Sequence, residues 1–169
     1  MRSEFILIAI FGVAAIIAGV FLYRRPRPVE HLEEVGLTDL QRCLDILLQR
    51  GYDLGFVVFE MPGDQRFVEF SKYVRDQHNR GLQLDFPRAP WSEPYYEQVK
   101  SLLEGKGISY QVEDTPDGPV REFIQVDFAQ DLGRAAATGR EIFERVFRVD
   151  PTTRVTADFQ HVGPAGQSR

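Results

Sequence analysis

Residues 51–74, GYDLGFVVFEMPGDQRFVEFSKYV, decide the fold. Two runs rich in β-branched and aromatic residues flank Pro62-Gly63-Asp64, residue types that build a tight turn, so the segment reads as a β-hairpin. Before it, Leu40, Cys43, Leu44, Leu47 and Leu48 recur at helical spacing. Thr38 and Gln41 stand where a capping pair would open that helix, and Gly51 where it would stop. After the hairpin, a polar stretch from Arg75 to Arg80 leads to Leu82, Leu84 and Phe86. These alternate with Gln83 and Asp85, as in a strand with one buried face.

Further on, Ser92 and Pro94 mark a second helix start, with Tyr95 or Tyr96, Val99, Leu102 and Leu103 as its apolar side and Gly105 and Gly107 at its end. Ile108 to Glu113 and Val120 to Phe128 flank Thr115-Pro116-Asp117-Gly118 and read as a second hairpin. Asp131 caps a third helix facing inward through Leu132, Ala135, Ala136, Gly139, Ile142, Phe143, Val146 and Phe147, its small residues expected to pack closely on the sheet. Val155, Ala157 and Phe159 alternate as a short closing strand. Residues 37–160 are thus expected to form one α+β domain, with an antiparallel or mixed sheet of five to six strands and three helices mainly on one face. Residues 161–169 are expected to be a disordered tail.

This element order resembles the type III secretion chaperone-like superfamily, including its YbjN type, whose elements run helix, three strands, helix, two strands, helix over nearly all of Leu37 to Phe147. The resemblance implies a chaperone-like fold and an interaction role. It rests on no motif and assigns no site residue. An alternative resemblance is to a ferredoxin-like βαββαβ unit from Leu82 to Phe159, with the first helix and hairpin as an extension.

Residues 5–23, FILIAIFGVAAIIAGVFLY, are 19 unbroken apolar residues behind a flank of residues 1–4. A helix of that length is roughly 28 Å long, close to the hydrocarbon thickness of a bilayer. The run is too long for a signal peptide and leaves through bulky residues, so it reads as a retained transmembrane anchor. Arg24, Arg25 and Arg27 open the basic flank and linker at 24–36, and the positive-inside rule places the following domain in the cytoplasm, a periplasmic or extracellular domain being the alternative. Gly12, Ala15 and Gly19 share a helical stripe through which a second copy could approach, giving a homo-oligomer.

The chain carries 20 basic and 25 acidic residues, and after residue 27 the balance is 16 to 24. This acidity argues against a nucleic-acid partner. Cys43 is the only cysteine and lies in an apolar stripe, where a small buried hydrophobe is expected rather than a nucleophile. His31 falls in the linker, His78 in a polar loop and His161 in the tail, a poor basis for a rigid catalytic constellation. Glu113, Asp114 and Asp117 cluster at a turn without calcium-loop spacing. No catalytic residue, metal or cofactor is assigned. The distinctive local feature is Arg88, Trp91, Tyr95 and Tyr96 at a prolyl junction, residue types enriched in binding hot spots and candidates for a protein partner. The competing reading is that Trp91 staples the helix start to the core. The expected function is a membrane-anchored, non-enzymatic protein-interaction module, chaperone-like or a subunit of a membrane-associated assembly. The alternative is a tethered small-molecule sensing or enzymatic domain with a pocket between sheet and helices.

Overall fold

The structure, a computed structural model, describes residues 30–76, 79–115, 120 and 122–163. The elements run β1 (Glu30–Gly36), α1 (Leu40–Arg50), β2 (Gly51–Glu60), β3 (Phe67–Val74), β4 (Arg80–Pro87), α2 (Glu93–Gly105), β5 (Gln111–Asp114), β6 (Glu122–Ala129), α3 (Leu132–Glu141) and β7 (Arg154–Val162). A π-helical turn, Ile142–Val146, continues α3. The strands form one seven-stranded sheet of order β1-β7-β2-β3-β4-β6-β5, antiparallel at every pairing. The α+β class and the antiparallel sheet with three helices follow the sequence expectation. The strand count exceeds it by β1.

Residues 30–36 were expected to be linker but form the edge strand β1, paired to β7. The alternation there is hidden because a bulge shifts the register between Leu32 and Val35, with Glu34 at φ +57°. His31 accordingly leaves the linker and pairs its Nδ1 with Asp158. The closing strand is also longer than expected. It reaches Val162, takes His161 out of the tail and lies inside the sheet between β1 and β2. The fold therefore occupies at least residues 30–163 rather than 37–160.

The β2–β3 hairpin forms as read. Gly63 takes φ +72° in the turn, Met61 N donates to Arg66 O, and the Asp64 carboxylate accepts from the backbone and side chain of Arg66. Register places Val57, Phe59, Val68, Phe70, Leu84 and Val126 on one sheet face, where they join the helices in the main core. A Cβ on Gly139 of α3 would stand 3.1 Å from the Phe70 ring, so the small residue there serves close helix–sheet packing.

Helix α1 starts one residue later than expected. Asp39 occupies the N-cap position, whereas Thr38 and Gln41 are exposed and form no capping pair. Asp131 caps α3 by accepting from Arg134 N at 2.9 Å. Gly51 ends α1 with extended backbone, and its reason is space: a Cβ there would lie 2.4 Å from Leu47 O. Gly51→Ala is expected to lower stability by about 1–3 kcal/mol, visible as a lower urea midpoint at unchanged slope. An unchanged midpoint would contradict that packing.

The ferredoxin-like alternative is not what forms. The segment β4-α2-β5 with β6 between its strands is present, but the β2–β3 hairpin separates β7 from β4, so the last strand does not close beside the first. Residues 5–23, with Gly12, Ala15 and Gly19, and the flank with Arg24, Arg25 and Arg27 lie outside the described residues, as do His78 and Asp117. Among the described residues no helix is long and apolar enough to cross a membrane.

Candidate functional site

The antiparallel order gathers the starts of β1, β2 and β4 and the ends of β3 and β7 at one end of the sheet. There β2 does not simply pair with β7. Gly51 faces Val162 and Phe56 faces Gln160, so three more residues on β2 bulge between those pairs than the partner supplies. Leu54 in the bulge and His161 opposite both take positive φ, +61° and +52°. A Cβ on Gly55 would meet His161 O at 2.7 Å, which keeps this close approach for glycine. Arg50 clamps the bulge: its side chain donates to Gly163 O at 2.8 and 2.9 Å and pairs with Glu30 at 2.6 Å, while Gly163 N donates to Arg50 O.

Beneath the bulge lies a half-open cavity of about 230 Å3, bounded by Arg50, Tyr52, Asp53, Lys72, Asp76 and Arg80 among others. Ligand sites for small molecules usually run from about 300 to 1,000 Å3. Lys72 is buried in it, and burial, with Arg80 next, pushes its ammonium pKa down. A buried amine of lowered pKa is a known type of nucleophile or base. Here, however, Nζ donates at 2.6 Å to both Leu48 O and Gly51 O, closing the C-terminal carbonyls of α1 with a positive charge. Asp53 and Asp76 are likewise engaged, accepting from the backbone N–H of Val74 and Asn79. Arg50, Lys72 and Asp53 thus hold neighbouring chain ends of the sheet together.

Leu54 is 45% exposed, Tyr52 44% and Val74 38%; with Val112 they are the exposed large hydrophobic residues among those described. A bulky aliphatic side chain in the left-handed region costs roughly 1–2 kcal/mol. Leu54→Gly is therefore expected to raise stability by about 1 kcal/mol, measured by thermal or urea unfolding. A loss of stability would show instead that the Leu54 side chain packs usefully.

A second polar cluster lies in mid-sheet. Glu69 on β3 and Asp85 on β4 are direct cross-strand partners, 6% and 4% exposed. Asp85 accepts from Ser71 Oγ at 2.5 Å, Gln83 Nε2 at 2.7 Å and Gln125 Nε2 at 3.2 Å. Burial raises the Asp85 pKa despite those donors, and burial with the Asp85 charge pushes Glu69 up to about 8. Such a pair has the chemistry of a general acid and base. Neither carboxyl lines the cavity, which begins several residues further along β3.

The junction expected to bind a partner is present but differently disposed. Tyr96 is only 1% exposed, and burial raises its phenol pKa; it is a core residue and, unlike the expectation for it, offers almost no surface to a partner. Arg88 lies over the Tyr96 ring at 5.2 Å and between Glu93 and Glu122, which push its pKa up. Trp91 lies tilted against Phe67 at 4.5 Å and edge-on to Phe86 at 6.0 Å, and Tyr95 stands edge-on to Phe147 at 5.0 Å. Both remain half-buried. Ser92 Oγ bonds Pro87 O and Ala89 N, tying the junction to β4. Cys43 is buried and its thiol is pushed up to about 11 by burial, as its apolar setting implied. Among the described residues no group of three or more His, Cys, Asp or Glu could hold a metal ion.

Sequence reading passed over Lys72, Glu69, Asp85 and Leu54. A signal existed for Lys72, which continues the inward alternation Val68-x-Phe70-x-Lys72, a charge at a core position. None existed for Leu54, since only the bulge register exposes it. No family model, curated protein or solved structure matches the chain.

Proposed function

We propose that this chain is a membrane-anchored, non-enzymatic protein-interaction module, chaperone-like or a subunit of a membrane-associated assembly, with its domain on the cytoplasmic side. The observation that carries the non-enzymatic part is that three of its chemically capable buried groups are engaged in the frame or held neutral, and the fourth, Glu69, lies away from the cavity. Lys72 closes α1, Asp85 is held by three donors, and the Cys43 thiol stays protonated. The anchored part rests on the 19-residue apolar run followed by three arginines. The element order helix, three strands, helix, two strands, helix, present from α1 to α3, supports the chaperone-like reading.

The partner surface we assign is the end away from the cavity. It offers half-buried Trp91 and Tyr95, and nearby the short edge strand β5 with exposed Val112. Tethering confines the search for a membrane-associated partner and raises its effective concentration. A photo-reactive residue placed at Val112 in the full chain is expected to capture one defined protein in native membranes. Capture of lipid or of nothing reproducible at that position would remove the partner-binding reading.

A further inference from the structure

The exposed apolar residues at the bulge have a neighbour in the covalent chain. Glu30, the first residue of β1, pairs with Arg50, which borders the cavity and clamps the bulge. Tyr23, the last residue of the apolar run, is seven peptide steps earlier, a reach of at most about 25 Å. An anchored chain therefore holds this end of the sheet, with Tyr52, Leu54 and Val74, close to the bilayer surface. Leu54 keeps an exposed aliphatic side chain in a backbone conformation that suits glycine. Strain of that kind marks positions retained for something other than stability.

We propose that the β2 bulge, through Leu54 and Tyr52 with Val74 beside them, is the surface on which the domain rests against the phospholipid interface. This rests on the anchored reading above. Tyrosine suits the headgroup level and leucine and valine the acyl boundary just below it. Arg80 stands at the rim, opposite Val74 in the sheet, where it reaches phosphate oxygens. Asp53 and Asp76 offset the nearby cations, so contact depends on apolar insertion under the tether rather than on anionic lipid. Resting on this end leaves Trp91 and β5 facing away from the membrane.

The test uses the full chain reconstituted in vesicles of phosphatidylcholine, with and without phosphatidylglycerol. An environment-sensitive fluorophore is attached at Leu54→Cys, Val74→Cys or Val112→Cys, the buried Cys43 remaining unlabelled. Spin-labelled lipid is expected to quench most of the fluorescence at positions 54 and 74 and little at 112, equally in both vesicle types. Equal quenching at all three positions, or none at 54 and 74 in protein that floats with the vesicles, overturns the docking surface while the anchor stands. Shielding of position 54 from an aqueous quencher without lipid quenching assigns the patch to a second copy and also overturns it. Failure of the protein to float with vesicles removes the anchored reading and this surface together.

Discussion

Glu69→Gln is expected to abolish most of the fall in stability that the parent protein shows between about pH 5 and 8. The folded protein keeps the Glu69 proton up to about 8, whereas the ordinary value is 4.5, so over that window the folded state binds more protons than the unfolded one. Stability then decreases as pH rises. Between pH 5 and 8 the effect amounts to roughly 3–4 kcal/mol, because each of the three pH units contributes at most RT ln 10. Asp85, also raised by burial, acts in the same direction. The glutamine variant should match the parent near pH 5 and exceed it by several kcal/mol at pH 8–9, in urea titrations repeated across pH. Parallel curves for the two proteins would mean that Glu69 is solvated rather than buried beside a second carboxyl.

The second large effect is at Trp91, where two readings made from the sequence separate. Its ring contacts with Phe67 and Phe86, and its place between the main core and the small cluster of Ala89, Val120 and Phe123, give it a packing role beside its place on the proposed partner surface. Trp91→Ala should cost about 3–5 kcal/mol, as for other large aromatic truncations. Trp91→Phe, which keeps an aromatic ring against Phe67 and Phe86, should cost much less. A small loss for alanine, together with loss of partner capture at Val112, would instead make Trp91 a binding anchor. Thermal unfolding and the capture assay together distinguish these outcomes.

Much of the sheet was legible because its inward residues alternate without interruption. Leu82, Leu84 and Phe86, and later Val155, Ala157 and Phe159, each occupy the core face they announce. Strand β1 was not legible, because its bulge breaks the period and its glutamates resemble a linker. The site was harder to see for a related reason. Lys72 and Leu54 take their roles from where two strands end against a helix terminus, and no local spacing reports that meeting. The junction from Arg88 to Tyr96 drew attention by composition, yet composition could not separate buried Tyr96 from half-buried Trp91 and Tyr95.

The anchor and its orientation underlie the proposed function, and a pair of reporters fused to the C-terminus reads both. One reporter is active only in the cytoplasm and the other only outside it. With Arg24, Arg25 and Arg27 retained inside, the cytoplasmic reporter should be active on protein that sediments with membranes. Neutralising the three arginines should weaken or reverse that result. Activity of the outside reporter in the unmodified chain would contradict the orientation, and cytoplasmic activity on protein free of membranes would contradict the anchor itself.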